Sequence, residues 1–185
     1  MDTIICLVGE RCSGKTTMAR ILQSKGYNVI QSFTTREKRD DNEWGHEFYP
    51  ASYNIMEKWW NSKEERPDDI VAHQKLYGEH YWVCKQQYEG KGISIYTVDP
   101  KGVKHLQKNE KKAKIIVVYL KADKETRLDR LFKRCIPAHE ISTTLEVDVE
   151  LFKIIECDYV IDSNYSPKNT YENVNEVLSR LVENI

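Results

Sequence analysis

The stretch Gly9-Glu10-Arg11-Cys12-Ser13-Gly14-Lys15-Thr16 fills the pattern G-x-x-x-x-G-K-[ST] without a gap. It constrains the fold because it works only in one setting. Glycines let successive backbone N–H groups converge on a phosphate at the N-terminus of a helix, whose dipole also favours negative charge. A strand must deliver the loop and a helix must follow it. Thr3 to Val8 is a short, β-branched, apolar run of the kind a buried parallel strand shows. After the glycines, Met18, Ile21 and Leu22 fall at i, i+3 and i+4, and Gly26 supplies a stop. Both conditions are met. Lys15 would then reach the β- and γ-phosphates of a nucleotide, and the Thr16 hydroxyl would sit on Mg²⁺.

Strand and helix signals alternate along the rest of the chain, which predicts an α/β domain with a mostly parallel sheet. Core strands are expected at Thr3 to Val8, Asn28 to Ser32, Ile93 to Val98, Ile115 to Leu120 and Tyr159 to Asp162. Helices are expected at Lys15 to Lys25, Lys101 to Asn109, Lys124 to Arg134 and Pro167 to Val182, the last with Ser166 as N-cap and Pro167 at the first helical position. Two segments break the alternation. Residues 33 to 92 are aromatic and charged and read as an inserted substrate-binding lobe of short strands with a helix near Asn54 to Lys63. Trp59 and Trp60 adjoin there, so one is expected in the lobe's core and the other at its surface. Cys135 to Thr144, short, polar and centred on Pro137, reads as a mobile flap.

A chain of 185 residues with 40% hydrophobic residues suits one globular domain. With 28 basic and 29 acidic residues it has no charge excess to coat nucleic acid. Five scattered cysteines, Cys6, Cys12, Cys84, Cys135 and Cys157, lack C-x-x-C spacing. They read as reduced thiols without a zinc site. No apolar run approaches membrane-spanning length, and a signal peptide is not expected ahead of a loop that starts at residue 9, so a cytoplasmic protein is expected.

Behind the phosphate loop come Ser32-Phe33-Thr34-Thr35-Arg36-Glu37-Lys38-Arg39, Gly45, Tyr77-Gly78, Val98-Asp99-Pro100-Lys101-Gly102 and Arg127-Leu128-Asp129-Arg130-Leu131-Phe132-Lys133-Arg134. In this order they resemble the guanylate kinase family over nearly the whole chain. The resemblance implies a P-loop nucleoside-monophosphate-kinase fold: a parallel sheet flanked by helices (1–32, 93–134 and 145–185), an inserted NMP-binding lobe (33–92) and a short lid (135–144). It implies phosphoryl transfer from ATP with Mg²⁺ to a nucleoside monophosphate, GMP or dGMP, by a monomer or homodimer without nucleic-acid or membrane partners. ATP would be held by Gly9, Arg11, Cys12, Ser13, Gly14, Lys15, Thr16 and Thr17, with Thr16 on the metal. The acceptor would be held by Ser32, Arg36, Arg39, Asp68 or Asp69, Tyr77, Glu79 and Asp99. Lys15, Arg130, Arg134 and Asp99 would act on the transferred group.

The residues make physical sense of these roles. Arg36 and Arg39 are three apart, so both guanidinium forks can face one anion on a turn. Asp99 ends an apolar strand and is also placed as a helix N-cap before Pro100. The chain departs from the family at several positions. Phe48 stands for a tyrosine, Glu79 for a hydroxyl residue and Thr97 for a second carboxylate. The arginine expected about ten residues beyond Arg134 is absent, the sequence there being Ser142-Thr143-Thr144-Leu145, and Lys133 or Arg127 is the candidate replacement. A kinase for another deoxy or modified nucleotide is the alternative, as is an inactive guanylate-kinase-like module that binds proteins. Intact Gly14-Lys15-Thr16 argues against the module. If the loop works as read, Lys15→Ala lowers turnover on the order of 10²-fold or more in a coupled kinase assay. Near-normal turnover would remove the loop from the mechanism.

Overall fold

The computed structural model describes residues 1–38, 41–62, 67, 69–76 and 78–182. Strand β1 (Thr3–Val8) is wholly buried, as its apolar run requires, and leads through the loop into helix α1 (Lys15–Ser24). Strands β2 (Asn28–Ile30) and β3 (Ser32–Thr34) follow, then β4 (His46–Phe48), α2 (Tyr53–Asn61), β5 (Ile70–Leu76) and β6 (Glu79–Cys84). The chain returns with β7 (Ile93–Thr97), α3 (Pro100–Asn109), β8 (Lys114–Lys121), α4 (Lys124–Lys133), α5 (Ala138–Leu151), β9 (Tyr159–Asp162) and α6 (Pro167–Val182).

The core sheet has the order β2-β7-β1-β8-β9, with every pair parallel. Side chains alternate along β1, so both faces need cover. Ile5 and Leu7 pack with Met18, Ala19 and Leu22 of α1 and Val174, Val177 and Leu178 of α6. Ile4, Cys6 and Val8 pack on the other face with Val103 and Leu106 of α3. The expected caps are present: Asp99 Oδ1 accepts from Gly102 N at 2.8 Å, and Ser166 Oγ accepts from Asn169 N at 3.3 Å.

A second sheet, β4-β3-β6-β5, builds the inserted lobe. The strand expected over Asn28 to Ser32 is split at Gln31, β2 joining the core sheet and β3 the second. Gln31 O accepts from Gln87 Nε2 at 2.5 Å, and Asn28 Nδ2 donates to Gln87 O at 2.8 Å. The lobe is continuous with the core at its base. Val71, Ala72 and Val83 belong to the same apolar cluster as Ile4, Cys6 and Val8, and α3 fastens β5 through Asn109 Nδ2 to Val71 O and His105 Nδ1 to His73 O. Trp59 packs against Met56, Ile70, Trp82 and Cys84, whereas Trp60 is 41% exposed with its edge on His73.

The segment expected to be a short polar flap differs most from expectation. Pro137 stands at the N-cap of α5, which runs unbroken across the expected 144/145 boundary. Ile141, Thr144, Leu145 and Asp148 fall at i, i+3, i+4 and i+7, and this face packs on Leu131 and on Cys12 of the loop. Two of those four residues are polar, which hides the amphipathic pattern in the sequence. They are buried because their partners come from elsewhere: Arg11 donates to Thr144, and Arg127 of α4 forms an ion pair with Asp148. Burial raises the Asp148 carboxyl above its ordinary value, against the pull of Arg127 and Lys15. Removing one member of a buried pair strands the other charge. Arg127→Met is therefore expected to cost about 3 to 5 kcal/mol in urea unfolding, and adding Asp148→Leu to recover most of it. Equal loss in the single and double variants would show that packing, not the unpaired charge, sets the cost.

Candidate active site

The loop between β1 and α1 is fixed by close approach. A Cβ on Gly9 would lie 2.4 Å from Ser13 Oγ and 2.6 Å from Leu120 O, so no larger residue fits. Gly14, at φ 100°, makes the left-handed turn into α1. Cys12 also has positive φ, 64°, where an L-residue carries strain. Around this bend Lys15 folds back, with Nζ 2.6 Å from Gly9 O and 3.0 Å from Glu10 O. Burial pushes its ammonium down to about 8, although the carboxylates of Asp148, Glu10 and Asp99 favour the charged form.

Two cavities flank the loop. The smaller, about 110 Å³, is lined by Cys12, Gly14, Thr17, Arg130, Arg134 and Tyr165 among others. Arg130 is committed there: its Nη1 donates to Cys12 O at 3.0 Å and its Nη2 to Ser163 O at 2.6 Å. Ser163 Oγ in turn donates to Ser13 O. The larger cleft, about 730 Å³, lies between the loop, the lobe and α5, and is lined by Arg11, Arg36, Glu79, Tyr81, Arg134 and Thr144 among others.

Of the residues expected at the acceptor, Arg36 and Glu79 face this cleft. Arg36 grips Glu43 with both ends of its fork, at 2.7 and 3.1 Å, and Glu79 Oε2 accepts from Thr35 Oγ1 at 2.6 Å. Ser32 is not in the lining: it is buried and its hydroxyl bonds His46 Nδ1 at 2.8 Å. Asp69 is not brought to the cleft either. It precedes β5 where Ile70 pairs Cys84, whereas Glu79 pairs Leu76 at the other end of the hairpin. Asp99 caps α3. Thr16 is exposed in the first turn of α1, and Ser13 is buried with its Oγ unpartnered among the described residues. Arg39, Asp68 and Tyr77 lie outside the described residues.

Sequence reasoning missed Glu43, Thr144 and the lobe's interior. His73 Nε2 bonds His80 Nδ1 at 3.0 Å, His80 Nε2 bonds Glu57 Oε2 at 2.8 Å, and Lys75 Nζ donates to the same oxygen at 2.7 Å. Lys75 first, then His80, holds the Glu57 carboxyl below its ordinary value. This chain pins α2 to the face of β6 opposite Glu79 and Tyr81. Strict alternation along Glu79-His80-Tyr81-Trp82 was the available signal.

The sequence profile of the guanylate kinase family matches residues 1–181. The chain belongs to the guanylate kinase family. It is therefore an enzyme of the nucleoside monophosphate kinase type, and its core sheet, helices and phosphate loop are that fold. Among solved structures, guanylate kinase from Anaplasma phagocytophilum superposes with a TM-score of 0.61 at 18% identity, covering 97% of this chain and 85% of that one. The protein APE1195 superposes with a TM-score of 0.52, also at 18% identity, covering 100% of this chain and 96% of the other. At that identity they speak for the fold. No curated protein sequence matches.

If a nucleotide's phosphate lies against Lys15, the lowered ammonium makes binding proton-linked. A bound phosphate favours the ammonium, so its pKa rises on binding. Below about pH 7 the lysine is already charged and binding of Mg-ADP takes up no proton. Uptake is about half a proton near pH 8 and approaches one per site above about pH 9. Calorimetry in buffers of different ionisation enthalpy reads this directly, and uptake independent of pH would place the titrating group elsewhere.

Proposed function

We propose that this kinase transfers the γ-phosphoryl group of Mg-ATP to GMP or dGMP, giving ADP and the nucleoside diphosphate. The observation that carries the reading is one phosphate loop with a cavity on each side, Cys12 lining both, and Lys15 folded back onto that loop's carbonyls. Such a reaction asks little covalent chemistry of the protein and much opposing charge. ATP would lie with its base side in the smaller cavity and its phosphates on the loop, where the Gly9 bend and the orphaned Ser13 hydroxyl suit a ligand rich in acceptors. Mg²⁺ would be held by Thr16, with Asp99, whose second oxygen the α3 cap does not use, ordering its water. In the cleft, Arg36 would leave Glu43 for the acceptor's phosphate. Residues 33–92 would serve as the acceptor lobe and 135–144 as the lid.

Base choice rests on Glu79 and Tyr81. Guanine offers N1–H and 2-amino donors and a 6-keto acceptor. A carboxylate at Glu79 accepts from the donors, and the Tyr81 hydroxyl can donate to the keto oxygen. A base lacking those donors would leave the carboxylate unpaired, and discrimination of roughly 10⁴-fold is attainable that way. A panel of monophosphates in a coupled assay tests the assignment. GMP or dGMP is expected to be the best acceptor, and Glu79→Gln to lower its kcat/KM at least about tenfold. AMP or a pyrimidine monophosphate as best acceptor would overturn the guanine assignment and leave the kinase.

A further inference from the structure

We infer that Arg11, in the phosphate loop itself, is a catalytic residue that places its guanidinium on the phosphoryl group in flight between donor and acceptor. The inference rests on the proposed transfer to a nucleoside monophosphate. It starts from what each arginine near the loop is doing. Arg130 is on the donor side, holding carbonyls of Cys12 and Ser163. Arg36 is across the cleft, forked onto Glu43. Arg134, exposed at the end of α4, lines both cavities from outside the loop. Arg11 alone combines a backbone position within the loop with a side chain on the cleft side, where its Nη1 donates to Thr144 Oγ1 at 2.9 Å.

That partner is the informative part. Thr144 is 7% exposed and belongs to α5, whose residues Ser142 to Leu145 carry no cation. A neutral hydroxyl holds the guanidinium at the cleft wall, yet competes weakly for it. Charge-assisted bonds from arginine to phosphate are roughly twice as strong as neutral ones, so a phosphoryl oxygen arriving above Lys15 displaces the hydroxyl. The guanidinium then sits where charge spreads over the transferred group. An acceptor phosphate oxygen brings the electron pair of the new P–O bond, and the β-phosphate oxygen of ADP leaves with the pair of the old one. With the acceptor as a dianion no proton moves, so the step needs opposing charge alone.

The test uses the whole chain with Arg11→Met, Arg11→Lys and Thr144→Val. Arg11→Met is expected to lower kcat for GMP roughly 10³-fold, with KM for ATP and GMP changed within about threefold. It should also abolish the tight complex of Mg-ADP with aluminium fluoride while leaving Mg-ADP affinity alone. Arg11→Lys should restore only a small part, since a point charge cannot fork two oxygens. Thr144→Val keeps the charge and removes the tether, and its loss should be far smaller. Retained kcat in Arg11→Met, a raised KM for ATP as its sole effect, or an equal loss in Thr144→Val would each overturn the inference. If the unaltered protein phosphorylates no monophosphate, the proposed function fails instead. The aluminium fluoride complex with Mg-ADP alone still decides Arg11, equal affinity with and without it being the overturning result.

Discussion

The contact on which the rest depends is the approach of Gly9 to Leu120 O and Ser13. A loop seated this tightly on the end of β8 leaves its carbonyls and N–H groups in one arrangement. Lys15 bonds two of those carbonyls, Arg130 a third and Ser163 a fourth. Helix α5 then packs Ile141 and Leu145 against Cys12. A residue with a side chain at position 9 would thus displace α4, α5 and the β9–α6 turn along with the loop.

Four cations of the site are each matched with an oxygen of the chain. Lys15 has main-chain carbonyls, Arg36 a carboxylate, Arg130 carbonyls and Arg11 a hydroxyl. Burying them otherwise would cost far more than the site could bear. Ligand binding becomes an exchange of one oxygen for another, which trims net affinity and keeps the donors aimed. The partners also grade the exchange. A carbonyl or hydroxyl yields to phosphate more readily than Glu43 yields Arg36.

The core and the loop were legible because local pattern and tertiary role agree there. Thr3 to Val8 reads as a strand and is one, and Asp99-Pro100 reads as a cap and is one. Gln31 was not legible, since the break it makes depends on Gln87, fifty-six residues away. Helix α5 was concealed because Thr144 and Asp148 look solvent-facing until Arg11 and Arg127 are placed opposite them. Ser32 and Asp69 are absent from the cleft lining for a related reason. Their chemistry fits a phosphate or base site, but His46 claims the first and the register of the β5–β6 hairpin carries the second away.

The sharing of Val71, Ala72 and Val83 with the core cluster limits how the molecule can deform. To swing residues 33–92 as a rigid paddle would pull those side chains out of apolar contact, at about 1.5 to 3 kcal/mol for each valine. The compliance therefore lies away from that cluster, around β4 and the Glu79 end of β6, with the β5 base acting as a clamped end. Such a lobe flexes like a cantilever. Its displacement is largest at Arg36 and Glu79, which line the cleft, and least beside α3, so the cleft can change width without loosening the sheet that carries the phosphate loop.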